Sequence, residues 1–162
     1  MTTRRTYRGF GLSGIDGKGR LAIPAKLRGA LEHNAGAERT LILSPSRSAP
    51  CLMGYDTIYA EQMPEILAQE MAEADPDAPK MSRDNRNRLA FGLVDEAPFD
   101  QSGRMVIPPM LRKLAKLEDL AFFHGSGAII EIWNPHVLIA TPDVPGMMVE
   151  LVQFLLDERA AA

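Results

Sequence analysis

The sequence predicts a mixed fold, mainly β with short helices, built as a pseudo-dimeric body from two similar halves. Three observations carry this. A thirteen-residue phrase occurs twice, 84 residues apart: Asp16-Gly17-Lys18-Gly19-Arg20-Leu21-Ala22-Ile23-Pro24-Ala25-Lys26-Leu27-Arg28, and Asp100-Gln101-Ser102-Gly103-Arg104-Met105-Val106-Ile107-Pro108-Pro109-Met110-Leu111-Arg112, with seven positions identical. The flanks repeat too, since Cys51-Leu52-Met53-Gly54-Tyr55-Asp56 aligns with Ile129-Ile130-Glu131-Ile132-Trp133-Asn134. A spacing this long in a 162-residue chain means two copies of one unit, a chain that imitates a dimer of itself, and not a solenoid array.

Residues 8–15 alternate apolar with small or polar residues, with Phe10, Leu12 and Ile15 as the apolar set, and predict a strand. Asp16-Gly17-Lys18-Gly19 is turn chemistry: glycine takes positive φ without strain and Asp bonds nearby backbone. Arg20 to Ile23 is a short strand. Pro24 suits the first turn of a helix, where its missing N–H is no loss, and Leu27 and Leu31 then share one face. Leu41-Ile42-Leu43 and residues 51–55 give two more strands, the second ending at Tyr55 with Asp56 as helix N-cap.

Asp56 to Ala74 reads as a helix that Pro64 divides, with Ile58, Met63, Ile66, Leu67 and Met71 apolar. Asp75-Pro76-Asp77-Ala78-Pro79 is the clearest break. Lys80 to Leu93 reads as a helix carrying Arg83, Arg86 and Arg88. The second half repeats the order: a strand over 94–99, the turn, a strand, a helix opened by Pro108-Pro109 and running through Leu114, strands at 120–123 and 129–133 joined by a Gly125-Ser126-Gly127 turn, and a helix capped by Asn134 with Pro135 first. Met147 to Leu156 is an apolar-rich helix that docks on its own body, contacts another subunit, or does both. The expected organisation is a first repeat with its trailing helix over 7–75, a linker and helix over 76–91, a second repeat over 92–140 and a C-terminal helix over 141–162.

The chemically suggestive element is an Asp and an Arg four residues apart across each tight turn. In one reading the turn presents Arg20 or Arg104 to an anion, because the planar guanidinium grips phosphate or guanine through two donors, while Asp16 or Asp100 steers it. In the other, each pair is a surface ion pair that pins a hairpin and contributes little. A repeated fold repeats its structural ion pairs, so both readings stand.

Net charge is −3, but residues 1–31 carry +6 and the remainder −9. That asymmetry fits a localised phosphate-binding face on an acidic body. A solvated basic tail would account for Arg4 and Arg5, but not for Lys18 to Arg28 inside the repeats. Cys51 is the sole cysteine, which excludes an intramolecular disulfide and suits a reducing cytoplasm; it reads as core filling. His33, His124 and His136 lack metal-ligand or catalytic spacing, and His33 reads as bonding the carbonyls at its helix end. No nucleophile elbow or phosphate loop appears, so no enzyme, metal or cofactor is expected. Aromatic content of 6% argues against a base-stacking RNA sheet, and Phe122, Phe123 and Trp133 read as core. No long apolar run or signal-peptide pattern is present, so no membrane association is expected.

Taken together, Tyr7-Arg8-Gly9, Asp16-Gly17-Lys18-Gly19-Arg20 with Ile23-Pro24 and Arg28, Asp100 and Gly103-Arg104 with Ile107-Pro108, and Ile130-Glu131-Ile132-Trp133 resemble the MraZ family of bacterial transcription regulators, which pair two domains of the SpoVT-AbrB type. The resemblance spans about residues 7 to 138. It implies swapped-hairpin halves interleaved in a double-split β-barrel, a ring-like homo-oligomer, and binding to double-stranded DNA repeats in the promoter of its own division and cell-wall gene cluster, in the cytoplasm at the nucleoid. Carried onto this chain, it implies Arg20 and Arg104 as motif arginines, Lys18 and Arg8 as basic partners, and Asp16 and Asp100 as turn braces; Arg5 is added from the basic block. Two departures matter. The second turn has Gln101-Ser102 where the first has Gly17-Lys18, so the second half is less basic. The stretch from Thr141 lies outside the resemblance. A rival expectation is a protein-interaction module like the AbrB-type antitoxins, although those pair one copy of the unit with a disordered tail.

Overall fold

A computed structural model describes residues 3–77 and 81–162. Strands β1 (Phe10–Gly14) and β2 (Arg20–Ala22) flank the first turn, and α1 (Ala25–Ala35) follows. Next come β3 (Thr40–Pro45), β4 (Leu52–Tyr55), α2 (Thr57–Glu61), α3 (Met63–Glu73) and α4 (Arg83–Asn87), whose last turn widens to π geometry over Arg88–Gly92. The second half gives β5 (Asp95–Pro98), β6 (Arg104–Val106), α5 (Pro109–Leu114), β7 (Leu120–Gly125), β8 (Ile130–Trp133) and α6 (Pro135–Ile139). A long α7 (Gly146–Ala161) closes the chain. The mixed, strand-dominated class read from the sequence is the class observed. Part of the expected break at 75–79 and the expected start of a helix at Lys80 fall on residues 78–80, outside the described residues.

Among the described residues the strands form a six-stranded sheet in the order β1-β7-β8-β4-β3-β5 and a separate two-stranded ribbon, β2-β6, all antiparallel. The order is palindromic between halves. Each half keeps one hairpin, β3-β4 or β7-β8, and sends its leading strand to the other half's hairpin: β1 pairs with β7, and β5 with β3. The hairpins meet through β4 and β8, with Leu52 opposite Ile132.

Among the described residues, three cores follow from the side-chain alternation. Leu41 and Leu43 point to one face of the sheet, Ile42 to the other, and all three are buried, so the strand reads as an unbroken apolar run. One face meets a core shared by both halves, where Leu21, Ile23, Leu27 and Leu31 lie among Met105, Ile107, Leu111 and Phe123. Full burial of a side chain such as Leu27 or Leu31 contributes roughly 1.5–3 kcal/mol. On the other face, Ile42, Met53 and Tyr55 pack under α2, α3 and Ala90. Phe122 and Trp133 pack with Cys51 under α6 and α7. Helix α7 docks through buried Val152 and half-buried Met148, Leu151, Leu155 and Leu156, while Met147 and Phe154 are exposed.

Some local expectations are corrected. Pro24 is the N-cap residue of α1, not part of its first turn, because its ψ of 139° is still extended. The helix also runs to Ala35, beyond Leu31. His33 does not bond carbonyls at its own helix end; its Nε2 meets the Thr3 carbonyl at 2.9 Å. Ile58 of α2 and Met71 near the end of α3 are exposed, while Met63 and Leu67 of α3 are buried.

Candidate nucleic-acid interface

Each repeated turn is organised by its aspartate. Asp16 Oδ1 accepts the backbone N–H groups of Lys18 and Arg20, both at 2.9 Å, and Oδ2 accepts Arg20 Nε at 2.6 Å. The second copy reproduces this: Asp100 Oδ1 accepts from Ser102 and Arg104 N–H at 2.9 Å, and Oδ2 from Arg104 Nε at 2.7 Å. The Arg20 backbone N–H and then its side chain hold the Asp16 carboxyl down at about 2. Asp100 is lowered likewise, chiefly by the Arg104 N–H. Both turns therefore keep a charged brace throughout the neutral range.

The pairing is incomplete in a useful way. Of each guanidinium, Asp16 and Asp100 engage only the Nε. The terminal nitrogens of Arg20 and Arg104 make no hydrogen bond to protein among the described residues, and the two side chains are 62% and 74% exposed. Anchored at one nitrogen and open at two, each guanidinium offers a fixed pair of parallel donors.

The ribbon places the two arginines together. Arg20 is opposite Val106 and Ala22 opposite Arg104, so these four share the exposed face while Leu21 and Met105 point into the shared core. Arg20 and Arg104 are thus diagonal neighbours, a separation of roughly 7–8 Å in an antiparallel pair and somewhat less at Cβ. They rim a shallow depression with Asp16, Pro98 and Val106.

The halves brace each other's turns. Ile23 N–H donates to the Gly103 carbonyl at 2.8 Å, and Ile107 N–H to the Gly19 carbonyl at 3.0 Å. Gly19 and Gly103 adopt φ of +80° and +77°. A Cβ on Gly103 would fall 2.6 Å from Arg28 Nε, and one on Gly19 would fall 3.3 Å from the Ile107 carbonyl and 3.6 Å from Arg112. The last arginine of each phrase, Arg28 or Arg112, therefore lies against the turn of the opposite half. Its identity in both copies was the sequence signal, but its role depends on pairing between halves. Gly103→Ala should destabilise the protein by about 1–3 kcal/mol. Gly17→Ala, where a Cβ meets nothing within 4 Å and φ is not positive, should leave the urea midpoint unchanged.

The turns differ electrostatically. Lys18 shares a depression with Arg112 and Lys113, cations contributed by the opposite half. At the second turn, Ser102 stands for Lys18 and Gly29 follows Arg28, so that side has fewer cations.

Arg5 and Arg8 lie on an N-terminal strap fixed to the body. Tyr7 bridges to Gly127, with its N–H donating to that carbonyl at 2.7 Å. Arg4 is no free tail charge: its Nε and one terminal nitrogen donate to the fully buried Asp56 at 2.8–3.0 Å. Tyr7 Oη donates to the same carboxylate at 2.6 Å, and Asp56 also accepts the Tyr59 N–H as N-cap. Sequence reading saw only the cap. Arg5 N–H donates to Asn34 Oδ1, and the Arg5 and Arg8 side chains are exposed.

No metal-binding group of three or more His, Cys, Asp or Glu occurs among the described residues, and no described helix is long and apolar enough to cross a membrane. Residues 90–137 match a family model described as "MraZ protein, putative antitoxin-like". The chain is 32% identical to the transcriptional regulator MraZ of Rhodospirillum rubrum over 78% of each chain. It is 37% identical to that of Gluconobacter oxydans over 75% of this chain and 71% of the relative, and 31% identical to that of Shewanella frigidimarina over 96% and 97%.

Proposed function

Because the chain belongs to the MraZ family, we propose that it is a sequence-specific DNA-binding transcriptional regulator acting on the promoter of its own division and cell-wall gene cluster. The observation that carries this reading is the pair of braced turns. Each holds an arginine's guanidinium by Nε alone, on one face of a two-stranded ribbon. The major groove admits such a ribbon, and the free donor pairs of Arg20 and Arg104 match guanine O6 and N7. Lys18, Arg8 and Arg5 contact phosphates, which position the protein without reading sequence. Asp16 and Asp100 brace the turns and do not touch DNA. No catalytic step and no cofactor enter this mechanism.

The exchange of leading strands between hairpins is consistent with a swapped-hairpin, double-split barrel, with the first repeat taken over 7–75 and the second over 92–140. One ribbon covers only a few base pairs. A ring-like homo-oligomer at the nucleoid would set several ribbons on successive DNA boxes and multiply weak contacts through effective concentration.

The test is binding to the duplex upstream of the protein's own gene against a scrambled duplex, over a salt series. Preference for the promoter, with affinity falling as salt rises, is expected. Equal binding to both at low salt would sink the reading and put the rival first, an interaction module of the antitoxin kind.

A further inference from the structure

A second cationic surface lies away from the ribbon. A groove between the N-terminal strap and α1 is lined by Arg4, Arg5, Arg8, Gly9, Lys26 and Gly29, among others. Asp56 neutralises Arg4, which leaves Arg5, Arg8 and Lys26 as its charge, and no carboxylate is among the described residues lining it. The backbone that carries Arg5 and Arg8, and the Lys26 side chain, are held in place. The strap is tied to the body at Arg4, Arg5 and Tyr7. The Lys26 ammonium sits 4.1 Å from the centre of the Phe10 ring, and its Cβ lies close over Gly9.

Gly29 gives this groove an unusual surface. It interrupts the middle of α1, where glycine weakens a helix by roughly 1 kcal/mol relative to alanine. Packing does not require it, because a Cβ there would meet nothing within 4 Å, and its φ is ordinary. The equivalent residue of the other half is Lys113. A bare backbone lining a cationic groove admits close approach by a ligand. α1 also joins this groove to the second turn: Arg28 lies against Gly103, and Gly29 is the next residue.

We propose that this groove binds the phosphodiester backbone of duplex DNA and supplies, for the second turn, phosphate contacts of the kind that Lys18 supplies at the first. The proposal rests on the DNA-binding reading above. It adds Lys26 and Gly29 to the interface and makes the strap part of the second half's footprint.

The test uses Gly29→Glu in the full-length protein. Glutamate is a better helix former than glycine, so the variant should fold at least as well as wild type. Gln153→Glu, at an exposed position on α7, is the control for an equal change in net charge. Promoter and scrambled duplexes are titrated over a salt series. Gly29→Glu should weaken both by the same factor, roughly fivefold at low salt, and lower the salt slope by about one, with the promoter preference retained. Binding by Gly29→Glu equal to that of Gln153→Glu, with wild-type preference intact, overturns the groove and leaves the DNA-reading turns standing. Wild-type binding without promoter preference, weakened by Gly29→Glu, overturns the specific reading and leaves the groove. A change in subunit number with DNA affinity unaltered would mean that the groove holds another protein surface, and would also overturn the proposal.

Discussion

Arg20→Ala is expected to abolish the preference for promoter boxes over scrambled duplex while leaving the thermal midpoint unchanged. The loss is large because a two-donor contact from arginine to a base discriminates by about 1–3 kcal/mol, and an oligomer forfeits that contact at every box it occupies. The fold survives because the lost ion pair is solvent-exposed and such pairs contribute little. The Asp16 carboxylate still accepts the backbone N–H groups of residues 18 and 20, so the turn persists. Arg104→Ala should reduce the preference less, since its turn lacks a counterpart to Lys18. Competition binding and differential scanning calorimetry on the same samples check both halves of the prediction. Undiminished preference in Arg20→Ala would remove that residue from the reading site.

The second large effect is on stability. Asp56→Ala should lower the unfolding free energy by about 3–5 kcal/mol, because it strands a half-buried Arg4 charge, the buried Tyr7 hydroxyl and the first turn of α2. The urea midpoint should fall with little change in slope. Burial pushes the Asp56 carboxyl up, but the Arg4 and Tyr7 side chains and the Tyr59 N–H outweigh burial, and the net direction is down. A depressed folded value means that the unfolded chain takes up the proton first on acidification. The contribution is complete above the ordinary carboxylate value of about 4 and is lost as pH drops through the folded value. Wild-type stability should therefore hold above about pH 5 and decline below about pH 4. Asp56→Asn should make that acid limb shallower, with Asp16, Asp100 and Glu131, whose carboxyls are also held low, supplying the remainder; an acid limb as steep as wild type would place the protonation elsewhere.

The parts of the molecule set by near neighbours were legible in the sequence. The aspartate-braced turns, the helix caps at Asp56 and Asn134, the division near Pro64 and the buried apolar strands each depend on residues within a few positions. Strand exchange was not legible from the residues themselves, because a repeated sequence is equally compatible with pairing inside a half or between halves. Residues whose partners are distant were misjudged for the same reason. Arg4 reads as a tail charge in the sequence because its partner, Asp56, is 52 positions away. Arg28 and Arg112 stood out as identical, but each acts on the opposite copy's turn.

The two halves share a core but are separately encoded, and this alters how the interface can evolve. In a symmetric homodimer every substitution arrives twice, so a change that improves one contact must be tolerated at its twin. Here residue 102 can be serine while residue 18 is lysine, and residue 29 glycine while residue 113 is lysine. The scaffold keeps the packing economy of a two-fold object, and selection can adjust each of its binding edges alone.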